Sequence, residues 1–156
     1  MDKVVAAICT ALSQGGRADG DLPKACSSSM TSLVGSCDAS SMIKRHEGVR
    51  DCVYVDTTGH KTIGVGYNLD ASGARTAVES CGINYDDIYS GKTCLSSSQV
   101  DCLLSFSLKA AESGARADVS SYDSLCCNVQ NVVTDMVFNL GRYGIVHARV
   151  NCGFYS

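Results

Sequence analysis

Three polar residues near the middle of the chain, Glu47, Asp56 and Thr62, have the types and spacing that acid–base hydrolysis requires. Ser40 or Ser41 can cap a short helix carrying Met42 and Ile43, and Gly48 supplies its stop. Glu47 ends that helix four residues after Ile43, on the same face, and that face is expected to turn toward the protein. A carboxyl at the edge of an apolar face loses solvation of its charged form, which favours the protonated acid that hydrolysis needs. The plainer alternative is an ion pair with Lys44, Arg50 or another surface cation. Asp56 stands where a strand enters a polar turn, and amides and water there keep a carboxylate ionised. Two carboxyls in opposite environments make an acid and a base, although an Asp in a turn can also be a turn-former alone.

The elements that must position these groups follow from local pattern. Residues 52–55 (CVYV) predict a strand, residues 56–60 (DTTGH) a turn and residues 61–67 (KTIGVGY) the returning strand. On that strand Ile63, Val65 and Tyr67 share one face and should pack on the core, while Thr62, Gly64 and Gly66 share the other. The glycines allow a ligand to approach the main chain, or else mark a bulge or tight packing. Thr62 can hold a water between itself and Asp56.

Beyond Leu69 the chain reads as mostly helical. Ser96 to Ser98 can cap a helix with Val100, Leu103, Leu104, Leu108 and Ala111 on one stripe. Leu125, Val129, Val132, Val133, Met136, Val137 and Leu140 repeat at helical spacing before Gly141 and form a core stripe. Residues 81–93 are less regular and fit short helices or turns. One small α+β domain, with room for two lobes, accommodates all of this.

Composition narrows the function. At 156 residues, 45% hydrophobic and 19% charged, the chain can bury a real core, and a net charge of -3 leaves no basic surplus for nucleic acid. The cationic cluster Lys44, Arg45, His46 and Arg50 reads either as a solvated helix face or as a local attraction for an anionic surface. Ten cysteines without a CxxC pair, and histidines scattered at His46, His60 and His147, argue for disulfides and against a metal centre or other cofactor. Residues 26–37 (CSSSMTSLVGSC) form either a loop closed by its own two cysteines or a flexible leader whose cysteines pair elsewhere. Adjacent Cys126 and Cys127 cannot easily serve one partner. The apolar run from Val4 to Leu12 has signal-peptide length but a feeble positive start, and cleavage after Ser13 would leave an odd number of cysteines. No uncharged stretch approaches the roughly 20 residues of a membrane span. Secretion is the expected destination.

Within this frame residues 43–70 (IKRHEGVRDCVYVDTTGHKTIGVGYNLD) resemble the catalytic segment of phage-type lysozymes. That family places a Glu at the end of a short helix, an Asp nine residues on and a Thr six beyond, in a TxGxG strand. Glu47, Asp56 and Thr62 match in register and without gaps. Residues 135–141 (DMVFNLG) resemble the family's cleft-facing helix, with Phe138 at a position that touches the sugar chain, and residues 96–112 resemble the helix leading into that lobe. The resemblance covers roughly residues 41–145. It implies a lysozyme-like α+β fold with a small β-hairpin lobe, a larger helical lobe and an active-site cleft between them.

The implied reaction is hydrolysis of the β-1,4 bond between N-acetylmuramic acid and N-acetylglucosamine in peptidoglycan. Glu47 would protonate the glycosidic oxygen, while Asp56 with Thr62 would position the attacking water. Gly64, Gly66, Asn68 and Phe138 would contact substrate. An inverting course follows, with carboxyls about 6.5–9.5 Å apart. Two departures stand out. Tyr67 and Asn68 replace the histidine and apolar residue common after TxGxG, and after Ile145 the chain ends in VHARVNCGFYS where family members continue with several helices. The expected organisation is therefore a Ser/Gly/Cys-rich extension over 1–40, with a weak signal-peptide reading for 1–13, and a lysozyme domain over 41–156 that is atypical after 145. The protein is expected to be a secreted monomer with peptidoglycan as partner, serving antibacterial defence or digestion. The rival reading is a non-catalytic peptidoglycan-binding protein with a degenerate cleft, and chitin is a third substrate class.

Overall fold

The computed structural model of the chain describes residues 37–119 and 122–151. The leader, the extension before Cys37 and the last five residues lie outside them, so the readings made there stand as expectations. The order is α1 (Ser40–Glu47), β1 (Arg50–Val55), β2 (Lys61–Gly64), β3 (Tyr67–Asn68), α2 (Ala74–Ser80), α3 (Tyr85–Tyr89), α4 (Ser97–Asp118), a 3-10 turn (Tyr122–Ser124) and α5 (Cys127–Asn151). Two compact units divide within α4: one spans Ser40–Lys109, and the other joins the chain from Ala110 onward to the segment ending at Ala39.

In the first unit the three strands form an antiparallel sheet in the order β1-β2-β3. Tyr54 pairs with Thr62 and Val55 with Lys61, whereas Arg50 pairs with Gly64, so β1 bulges between Arg50 and Tyr54. The bulge frees the Asp51 carbonyl from the ladder, and the Leu95 amide donates to it at 2.8 Å. The neighbouring Cys52–Cys94 disulfide makes this attachment covalent.

The sequence pattern predicts one returning strand from Lys61 to Tyr67, and here the structure differs. β2 stops at Gly64, the chain turns through Val65 and Gly66, and β3 runs back so that Ile63 pairs with Tyr67 and Thr62 with Asn68. Gly64 and Gly66 have φ of 65° and 69°, in the left-handed region that β-branched neighbours avoid, and this ends the alternation. The open face expected of Thr62, Gly64 and Gly66 therefore does not form. Thr62 is 3% exposed and Gly64 is buried, leaving only Gly66 of the three in solvent.

Helix α4 begins on a reciprocal cap: Ser96 Oγ accepts from the Gln99 amide at 3.3 Å, and Gln99 Oε1 accepts from the Ser96 amide at 2.9 Å. Val100, Leu103 and Leu104 are buried, as their spacing predicts, and Cys81–Cys102 ties α4 to the residue after α2. The irregular stretch before α4 contains the short helix α3, capped by Asn84, whose side chain accepts from the Asp87 amide.

The second unit packs around Ala111, Ala115, Val119, Tyr122, Leu125, Val129, Val133 and Val137, with Val132, Met136 and Phe138 partly buried against them. Leu140, assigned to the stripe from its spacing, is 56% exposed. Gly141 breaks α5 with φ 65° and ψ 175°, and the backbone is helical again to Asn151, where the sequence reading stops at Gly141. Inside this core Tyr122 OH and Thr134 Oγ1 satisfy each other at 2.7 Å. Cys37 pairs with Cys127 across 90 residues, so the loop closed by Cys26 and Cys37 does not form. Cys126 is also disulfide-bonded, in keeping with separate partners for the adjacent pair.

Candidate active site

The polar turn after β1 organises the site. Its ends are held by the Asp56 amide donating to the His60 carbonyl at 2.9 Å and by the Gly59 amide donating to the Asp56 carbonyl at 3.1 Å, with Gly59 at φ 89°. Within that frame Asp56 Oδ1 accepts from the Thr58 amide (2.8 Å), the Thr58 hydroxyl (2.7 Å) and the His60 amide (2.9 Å). Asp56 Oδ2 receives a single contact, from the Thr62 hydroxyl at 3.3 Å. These donors favour the ionised form: the Thr58 hydroxyl first, then the His60 amide, hold the Asp56 carboxyl down at about 2, against an ordinary 3.8.

The two oxygens thus differ in chemistry. Oδ1 has its acceptor capacity filled, while Oδ2 keeps room for a further donor. Thr62 Oγ1 lies 3.3 Å from that oxygen and 3.2 Å from the His60 carbonyl, yet it has one proton for both. When the proton goes to the His60 carbonyl, Asp56 Oδ2 and Thr62 Oγ1 stand side by side as acceptors.

The turn also sets a pH dependence of stability. A carboxyl whose folded pKa lies below its unfolded value stabilises the fold above the unfolded value, and that contribution disappears as pH falls through the folded one. For Asp56 the window runs from 3.8 down to about 2. The urea midpoint should fall more steeply across this window in the wild type than in Asp56→Asn; parallel curves would show that the pinned carboxylate contributes nothing.

Glu47 is placed differently from the sequence expectation. Ile43 is fully buried but Glu47 is exposed, because α1 ends on it and Gly48, at φ 75°, turns the chain away. The surface-cation alternative fares no better: Lys44 pairs with Asp101, and the Arg50 guanidinium lies 4.4 Å from the centre of the Tyr54 ring. Among the described residues Glu47 makes no hydrogen bond or ion pair, and no direct bond joins it to Asp56 or Thr62. The structure therefore brings Asp56 and Thr62 together and leaves Glu47 as an open carboxyl.

Of the expected substrate contacts, Asn68 is half-buried beside Thr62 with its Oδ1 accepting from the Asp70 amide at 2.8 Å. Phe138 packs partly buried against the core of its own unit. Sequence reasoning gave Thr58 and His60 no role beyond the turn. The signal was present, since a residue two positions after an Asp in a turn is where its side chain finds an amide donor. Among the described residues no three His, Cys, Asp or Glu side chains gather as metal ligands, and no helix is long and apolar enough to cross a membrane.

A three-stranded antiparallel sheet joined to helices is an α+β fold of the lysozyme-like class. The phage lysozyme family model matches residues 44–151, more than half of the chain, and the chain belongs to that family. Membership carries peptidoglycan-lytic, glycoside hydrolase activity. No curated protein matches the chain.

Proposed function

We propose that the protein is a secreted, bacteriolytic lysozyme that cleaves the β-1,4 bond between N-acetylmuramic acid and N-acetylglucosamine with inversion. The observation that carries this reading is the unequal loading of the two Asp56 oxygens beside a nearly buried Thr62 hydroxyl. A water donating one proton to Asp56 Oδ2 and the other to Thr62 Oγ1 turns its lone pair outward, toward an anomeric carbon. A carboxylate that ionises at about 2 is a weak base, so Asp56 chiefly orients this water and takes its proton as the new bond forms. Glu47, exposed and without a hydrogen bond or ion pair among the described residues, is the acid that protonates the leaving oxygen.

Gly66 and the Asn68 side-chain NH2 offer the sheet's contacts to sugar, and Gly64 is assigned one on the family's pattern. Phe138 is assigned a sugar contact on the family's pattern. The three disulfides among the described residues fit an oxidising compartment, which supports secretion; a monomer acting in defence or digestion completes the proposal.

The test is the stereochemistry of the first product. Soluble peptidoglycan oligosaccharides followed by proton NMR should release the α anomer before mutarotation. A β anomer formed first would remove the water-positioning role of Asp56. Binding without cleavage would make the protein a wall-binding module, and preferential cleavage of chitin oligomers would replace the substrate.

A further inference from the structure

One carboxylate outside the triad is tied to it through a single peptide group. Asp70 lies two residues beyond β3, and its Oδ2 accepts from the Lys61 amide at 2.9 Å. Its Oδ1 accepts from the Tyr89 hydroxyl at 2.8 Å, and the His60 Nδ1 lies 3.4 Å from Oδ2. The Lys61 amide and the His60 carbonyl belong to the same peptide group, which is planar and trans, so they point in opposite directions. Asp70 grips the N–H side. The carbonyl on the other side accepts from the Asp56 amide at 2.9 Å and lies 3.2 Å from Thr62 Oγ1.

The grip is itself braced. Lys61 Nζ donates to the Tyr89 carbonyl at 2.7 Å and sits 4.1 Å from the centre of the Tyr89 ring, so Lys61, Asp70 and Tyr89 close a ring of contacts. Tyr85 stacks on Tyr89 with ring centres 5.4 Å apart and donates its hydroxyl to the Leu69 carbonyl at 2.7 Å. The Leu69 amide in turn donates to the Lys61 carbonyl at 2.8 Å. The bonds from the Lys61 amide and the Tyr89 hydroxyl hold Asp70 ionised, its carboxyl below the ordinary range.

We infer that Asp70 is a positioning residue: by holding the His60–Lys61 peptide it aims the His60 carbonyl at Thr62 and keeps the turn closed around Asp56. Its role in hydrolysis rests on the function proposed above. Its role in the turn does not. With the peptide fixed, the Thr62 proton has a standing acceptor in His60, which leaves Thr62 Oγ1 free to receive a proton from water. With the peptide released, the Thr62 hydroxyl loses its fixed acceptor, the turn opens around Asp56, and Oγ1 is no longer held ready for the water.

The experiment compares wild type, Asp70→Ala and Asp70→Asn by two readouts. The first is the titration midpoint of the Asp56 carboxyl carbon by NMR, followed in the folded protein. Removing a negative neighbour by Coulomb's law alone would lower that midpoint, whereas loosening the donors around Asp56 raises it from about 2 toward 3.8. Asp70→Ala is expected to raise it. The second readout is kinetic: kcat should fall roughly 10–100-fold with KM unchanged, the cost of a misplaced reacting group. Asp70→Asn keeps an oxygen for the Lys61 amide and should recover part of both losses.

A stable Asp70→Ala with the wild-type midpoint and wild-type kcat would overturn the inference, since a residue that only stabilises the fold moves neither. If Asp70→Ala does not fold, Asp70→Asn decides alone: a raised midpoint with severalfold lower kcat supports positioning, and wild-type values overturn it. If the wild type cleaves no peptidoglycan, the proposed function fails, and the NMR midpoint still decides the part played by Asp70.

Discussion

Replacing Glu47 by Gln is expected to lower the clearing rate of a bacterial suspension by roughly 10²–10⁴-fold, the contribution of a positioned general acid. The substitution keeps the shape of the side chain and removes its proton. Its cost to stability should stay within about 0.5 kcal/mol, because Glu47 is exposed and makes no hydrogen bond or ion pair among the described residues. That separation gives the experiment its value: a large kinetic loss with an unchanged urea midpoint can only be chemical. Sedimentation with purified walls should be retained by the variant, since the acid acts in the reaction rather than in holding the glycan. Clearing at the wild-type rate would remove Glu47 from the mechanism. Absence of clearing by both proteins, with both still sedimenting, would favour the binding module.

Cysteine replacement should produce the largest loss of stability. Cys37–Cys127 closes a loop of 90 residues, and in the chain-entropy account a loop of that length stabilises by about 4–5 kcal/mol. Cys81–Cys102, with a separation of 21, is worth about 3 kcal/mol on the same account. Cys37→Ala/Cys127→Ala should therefore lower the thermal midpoint by roughly 10–20 °C, at about 2–4 °C per kcal/mol for a chain of this size. Cys81→Ala/Cys102→Ala should cost less. Equal midpoints for the two double variants, or the reverse order, would show that entropy of the open chain does not govern this protein.

Much of the site was legible in the chain because its parts are local. The helix ending at Glu47, the Asp-Thr-Thr-Gly turn and the strand that follows lie within 25 consecutive residues, 40–64, and their dihedral preferences and hydrogen bonds are decided by near neighbours. The spacing of Glu47, Asp56 and Thr62 needs no tertiary information. The apolar repeats of α4 and α5 are likewise local, and Val129, Val133 and Val137 are buried where period 3.6 puts them.

The failures mark where local preference met something stronger. Residues 61–67 alternate like a strand, but two glycines at positive φ let the chain reverse after Gly64, and β3 gained a partner by the reversal. Glu47 shares a helical face with buried Ile43, yet a helix end frays outward once Gly48 turns the backbone, so periodicity overstated its burial.

Sequence by itself thus determined the residue types, their spacing and the elements that carry them, since these depend on short-range sterics and hydrogen bonding. Tertiary structure alone decided that Cys37 meets Cys127, that Leu95 fills the gap left by the β1 bulge, and that Asp70 grips the back of the peptide facing Asp56 and Thr62. Those pairings join residues far apart in the chain or on opposite sides of one peptide plane. They exist only after the backbone has closed upon itself, when the cost of bringing distant segments together has already been met by the burial of the core.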